Sequence, residues 1–200
     1  MCYSTESSLI AWVISVVIGC YLWNRNRKYD RWNASFIWTF SAVQLWEAGI
    51  WSSTNKSQQN FYLKLLLLTL LAQPLVQTYS GWRATGSRTL QIMTGVFLLI
   101  WFYTLYRTFT EQFYVTKGPH GHLIWHSDSG SFIQGNIPVI GILYLLGLFL
   151  ALLWILPTSI PLIAIGGATI LWSLLQTSTG EFDSYWCYVA VAYSITAIFV

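Results

Sequence analysis

The sequence predicts an all-α membrane protein, a bundle of seven transmembrane helices with a small outer β-hairpin between helices four and five. Three observations point there. Only 8% of the 200 residues are charged, 55% are hydrophobic, and the mean hydropathy is +0.53. A soluble domain keeps about a quarter of its residues charged, so lipid must be the solvent for most of this surface. Apolar runs of crossing length recur along the chain, separated by short polar connections. Basic residues concentrate in alternate connections, the asymmetry that orients membrane proteins. The net charge is +3 and the basic residues are not interleaved for phosphate contact, which argues against nucleic acid as a partner.

The expected spans are Leu9–Trp23, Asn33–Trp51, Phe61–Tyr79, Thr89–Tyr106, Ile137–Leu156, Ile160–Gln176 and Ser184–Val200. Trp23, Trp32, Trp51, Trp82, Tyr185 and Trp186 stand at or near their ends, where amphipathic rings prefer the membrane–water boundary. The first connection carries Arg25, Arg27, Lys28 and Arg31, and the third carries Arg83 and Arg88. Both are therefore expected in the cytoplasm, with the N-terminus outside and the C-terminus inside. The basic cluster follows the first apolar run, the wrong order for a cleaved leader, so span one is expected to remain as an anchor. Pro157 and Pro161 bracket a short hairpin between spans five and six. No internal repeat is evident, and the chain (1–200) is expected to form one domain.

The long connection, about 108–136, reads FYVT, KGPHG, HLIW: strand, turn, strand, with Gly118-Pro119 and Gly121 in the turn. A hairpin lying over the outer face of the bundle is expected. Span five has no polar stripe beyond Tyr144, which predicts wide exposure to lipid.

Polar residues inside the spans are the functional suspects. Ser41, Gln44 and Glu47 recur every third residue, on one helix face, and Gln73 and Gln77 follow the same logic in span three around Pro74. The two stripes face each other if consecutive spans pack antiparallel. A carboxylate inside a bilayer costs about 2.5–3.5 kcal/mol unless it protonates, pairs or faces water. Glu47 then has three readings: helix glue through hydrogen bonds, a proton or cation relay with Glu181 and Asp183 as an acidic outer mouth, or a catalytic carboxylate at the bilayer surface.

His120, His122 and His126 fall in one loop. On a strand, His120 and His122 point the same way, and His126 could complete a zinc or copper site. The competing reading is solvent-exposed loop residues, and no cofactor is expected. Retinal is excluded, because YWCYVAVAYSITAIFV holds no lysine for a Schiff base. No GxSxG, HExxH or phosphate-cradling glycine loop is present, and an enzyme is not expected. The three cysteines form no CxxC pair. The triplets at Asn33 and Asn55 sit too close to the membrane for glycosylation.

The stretches QLWEAGIW (44–51), AQPL (72–75), GHLIW (121–125) and GEFDSYWC (180–187) resemble a family of uncharacterised multi-pass membrane proteins of large DNA viruses and protists. The resemblance implies topology and origin, and no activity. The functional expectation is a helix bundle that translocates or senses a proton or small cation. Glu47 would titrate, and Ser41, Gln44, Gln73 and Gln77 would line the path. The alternatives are a non-catalytic structural or scaffold protein of a viral or cellular membrane, and a lipid-acting membrane enzyme. The expected partners are the lipid bilayer, the proton or cation, and a second copy of the chain as a homo-oligomer.

Overall fold

The structure, a computed structural model, describes residues 4–128, 137–178, 180–189 and 191–200. It is mostly helical with one small antiparallel sheet. The helices are α1 (Thr5–Arg25), α2 (Asp30–Ser52), α3 (Lys56–Thr85), α4 (Arg88–Thr110), α5 (Ile137–Leu150), α6 (Ile160–Gln176), α7 (Phe182–Val189) and α8 (Val191–Ala197). The strands are β1 (Phe113–Lys117) and β2 (Leu123–Ser127).

Local chemistry fixes where the long helices begin and end. The side chains of Ser4, Asn55 and Ser87 accept from the backbone N–H three residues on, capping α1, α3 and α4. Asn26 and Gly86 end α1 and α3 in the left-handed region, at φ 53° and 69°. The Asn55 side chain is thereby used as a cap, and Asn33 is buried.

Helices α1, α3 and α4 are long and apolar enough to cross a membrane. Helix α2 equals α4 in length at 23 residues, but its polar stripe lowers its hydropathy. Two expected spans form differently. The fifth leaves α-helix at Leu150, continues as a 3-10 segment (Ala151–Ile155) and turns extended at Leu156. Pro157 accounts for the extended geometry of Leu156, since it disfavours helical geometry in the residue before it. The seventh consists of the short helices α7 and α8.

Helices α2 and α3 form the centre. Helix α2 packs on α1, α3, α7 and α8; α3 packs on α2, α4, α5, β1 and the 3-10 segment. Small residues on α1, including Ala11, Ser15 and Gly19, form its buried face and let α2 approach closely. Helix α4 packs chiefly on α3 and leaves most of its surface exposed. The C-terminal end returns to α1: Ser194 Oγ donates to Ser15 Oγ at 3.3 Å, and Arg25 Nη1 donates to the Ile198 carbonyl at 2.5 Å. Span five has two faces: Ile142, Leu143, Leu146, Leu150, Leu153 and Trp154 are exposed, in keeping with the expectation, and the other face is covered. Tyr144, Leu148, Ala151, Leu152 and Ile155 are buried, packed in the core shared with α3.

The two ends of the bundle differ. At one end the α1–α2 and α3–α4 connections lie with the C-terminal residues. At the other, the hairpin sits on α2 and α3. Asn60 Oδ1 accepts from Phe113 N at 3.0 Å, and Lys117 Nζ stands 4.7 Å from the Trp51 ring centroid. Strands β1 and β2 pair with Val115 opposite Trp125. Alternation buries Leu123, Trp125 and Ser127 of β2.

The polarity is inside-out for a soluble protein. Leu99 and Leu175 are 72% and 70% exposed, while Glu47 and Gln73 are 0% exposed. An apolar exterior around a polar interior is the arrangement that lipid favours.

Candidate functional site

Buried polar side chains form two groups in the bundle. The first is interior. Glu47 and Gln44 lie three residues apart on α2, so both point from one face, and Gln44 Nε2 donates to Glu47 Oε2 at 3.1 Å. Ser41 is buried one turn further along and donates to its own helix at the Trp38 carbonyl, 3.3 Å away. Across on α3, Gln73 accepts from the Tyr144 hydroxyl of α5. Gln77, one turn on, accepts from Trp32 Nε1 at 2.9 Å and donates to the Leu148 carbonyl at 3.3 Å. One amide thus ties α2, α3 and α5 together. On α7, Cys187 lies within electrostatic range of both Glu47 and Asp183, and Tyr144 within range of Cys187 and Asp183. The five path residues expected from the sequence, Ser41, Gln44, Glu47, Gln73 and Gln77, are all buried.

An apolar cleft of about 350 Å³ passes Leu71, Pro74, Phe97 and Tyr144, the partner of Gln73. A cavity of about 20 Å³ lies among Phe36, Phe40, Gln77, Thr169, Trp186 and Tyr193, room for about one water molecule. Trp186 Nε1 donates to Thr169 Oγ1 at 3.2 Å beside it.

The second group sits beneath the hairpin turn and is centred on Glu181, which is 0% exposed. Oε1 accepts from His120 N at 3.0 Å and His122 N at 3.2 Å. Oε2 accepts from Ser178 Oγ at 2.5 Å and Ser178 N at 3.3 Å, and lies 2.8 Å from His120 Nδ1. Burial works against the charge of Glu181, but these hydrogen bonds more than offset it and bring its pKa down to about 2. An ionised carboxylate has no proton to give, so His120 Nδ1 is the donor to Oε2. Gly118 is required by this approach, because a Cβ there would stand 2.2 Å from Glu181 Oε1.

The three histidines occupy three environments. His120 is half exposed and bound to Glu181. His122 is buried against Tyr185, ring centroids 4.8 Å apart, and burial lowers its pKa to about 4. His126 stacks on Tyr114 and lies 2.7 Å from Thr116 Oγ1. His120 and His122 belong to the turn, outside β2, so the strand alternation expected to align them does not apply. Among the described residues no group of three or more His, Cys, Asp or Glu side chains is arranged to hold a metal ion. Glu181, expected at an open acidic mouth, is covered by the hairpin, and Asp183 is partly buried near Cys187.

Sequence reasoning did not single out Ser178 or Tyr193, and it placed Trp32 at the membrane boundary, where the structure has it donate to Gln77. For Ser178 a signal existed: Ser178 and Glu181 have the S-x-x-E spacing, and Ser178 N donates back to the Glu181 carboxylate across the turn that precedes α7. Compared with protein-family models, curated proteins and solved structures, the chain matches none.

Proposed function

We propose that the chain is a seven-crossing integral membrane protein that relays or senses a proton or small cation through Glu47. The hairpin would lie outside and the basic connections in the cytoplasm. The observation that carries this reading is a carboxylate with no solvent exposure, set in a column of amide and hydroxyl groups. A low-dielectric setting penalises the charged form, so proton uptake is a direct way for such a group to respond. Gln44 suits the role, since an amide donates to a carboxylate and accepts from a carboxylic acid. The four stretches that resemble the viral and protist multi-pass family accord with this topology.

A second reading has its own support. The bonds of Gln77 to Trp32 and Leu148, beside a cavity of only about 20 Å³, favour a structural or scaffold protein in which the polar column only ties helices together. Proton flux into liposomes containing the purified chain separates the two, measured for wild type and Glu47→Gln over a range of pH and voltage. Flux that the substitution abolishes, with circular dichroism and melting unchanged, supports the relay. A pH-dependent change in tryptophan fluorescence without flux, lost in Glu47→Gln, supports sensing. Neither signal, in two equally folded proteins, leaves the scaffold.

A further inference from the structure

The end of the bundle opposite the hairpin carries a cleft of about 470 Å³ whose lining includes Arg27, Lys28, Arg31, Arg83, Trp23 and Tyr79. Three of its cations come from the α1–α2 connection and the first turn of α2. The fourth, Arg83, comes from the last turn of α3, more than fifty residues along the chain. Among the described residues no acidic side chain lines it. The nearest acid in sequence, Asp30, is already engaged: Arg25 holds it through bonds of 2.7 and 2.8 Å, and Arg27 N donates to it at 2.7 Å. The Arg25 guanidinium keeps Asp30 below the usual carboxylate range. Among the described residues Arg27, Lys28, Arg31 and Arg83 form no ion pair. Instead, Arg31 stands 5.2 Å from the Trp23 ring centroid and Lys28 5.1 Å from that of Tyr29.

A positive-inside bias accounts for basic connections. It does not account for their convergence on one concave site without a described acidic lining residue, with Ser80 and Ser35 on the same wall, the Ser35 hydroxyl donating to the Arg31 carbonyl at 2.8 Å. Four positive charges, polar hydroxyls and flanking aromatic rings suit a dense anion with an apolar tail. Trp23 closes the apolar run of α1, which puts the cleft at the level where a bilayer presents its headgroups. We propose that this cleft binds a phosphomonoester-bearing anion, supplied by the bilayer as the headgroup of a phosphorylated phosphoinositide. The site lies at the opposite end from the hairpin and does not depend on the role of Glu47.

The test uses the purified full chain in a neutral detergent, titrated with dioctanoyl phosphatidylinositol bisphosphate and followed by tryptophan fluorescence and native mass spectrometry. Dioctanoyl phosphatidylcholine and soluble inositol trisphosphate are the comparison ligands. Saturable binding of the phosphorylated lipid is expected, with phosphatidylcholine not competing. Arg31→Gln/Arg83→Gln should weaken it about twenty-five-fold, the product of about fivefold for each arginine removed. Arg88→Gln removes a nearby cation that does not line the cleft and should leave binding unchanged. Equal weakening by Arg88→Gln would reduce the effect to a diffuse basic field and overturn the site. Binding that survives the double substitution in a protein with native circular dichroism would do the same. Inositol trisphosphate binding as tightly as the lipid would overturn the bilayer as source and assign a soluble phosphate compound.

Discussion

His120 Nδ1 lies 2.8 Å from Glu181 Oε2, joining residues 61 apart in sequence across the hairpin end of the bundle. The carboxylate is buried and the imidazole half exposed, so the charge belongs to the protein interior and the histidine is its cover. Together with the His120 and His122 backbone N–H groups, this contact latches the hairpin turn onto the segment leading into α7.

Removing the latch should release the turn. Glu181→Ala strands two turn N–H groups and the Ser178 hydroxyl, at a cost of about 3 kcal/mol. The expected outcome is a lower melting temperature in detergent and faster proteolysis near Gly118. Gly118→Ala should destabilise by collision with the same carboxylate. In Glu181→Ala that collision disappears, so the double substitution should cost less than the sum of the two singles. Additive losses would show that Gly118 and Glu181 do not meet.

Acid should loosen the hairpin in two stages. His122 is held neutral in the fold with a pKa of about 4, against an ordinary value of 6.5. Its contribution is complete above pH 6.5 and is lost as pH falls toward 4, because the unfolded state binds the proton more readily. Glu181 is depressed to about 2 from 4.5, so its contribution is complete above pH 4.5 and is lost as pH falls toward 2. Fluorescence of the buried Trp125 should report both stages. His122→Gln should remove the upper stage alone, and Glu181→Gln the lower.

Gln77 joins three elements through one amide, and Gln77→Leu should cost about 1–3 kcal/mol by leaving Trp32 Nε1 and the Leu148 carbonyl buried without it. Thermal unfolding in detergent measures this. An unchanged melting temperature would mean that relaxation or water replaces both bonds.

The hairpin was legible because its determinants are local. FYVT and HLIW are rich in β-branched and aromatic residues, and Gly118, Pro119 and Gly121 sit between them. The burial of Ser41, Gln44 and Glu47 on α2 follows from spacing along a single helix. The breaks in the last expected spans were harder to see, since apolar composition does not tell a continuous helix from α-helix passing into 3-10 geometry at Ala151. The destination of Glu181 was not legible either. A short acidic segment between apolar runs looks the same whether it meets water or a returning hairpin.

The sequence by itself determined the apolar composition, the long helical runs, the hairpin and the charge asymmetry between connections. Each of these follows from composition or from a period within one segment. Tertiary structure alone decided that Gln73 meets Tyr144, that Gln77 meets Trp32 and Leu148, that Glu181 lies under His120, and that Arg83 joins Arg27 and Arg31. Such pairings depend on how helices rotate and tilt against one another. That choice is made by the close fit of whole faces, such as the small-residue face of α1 against α2, and no local period encodes it.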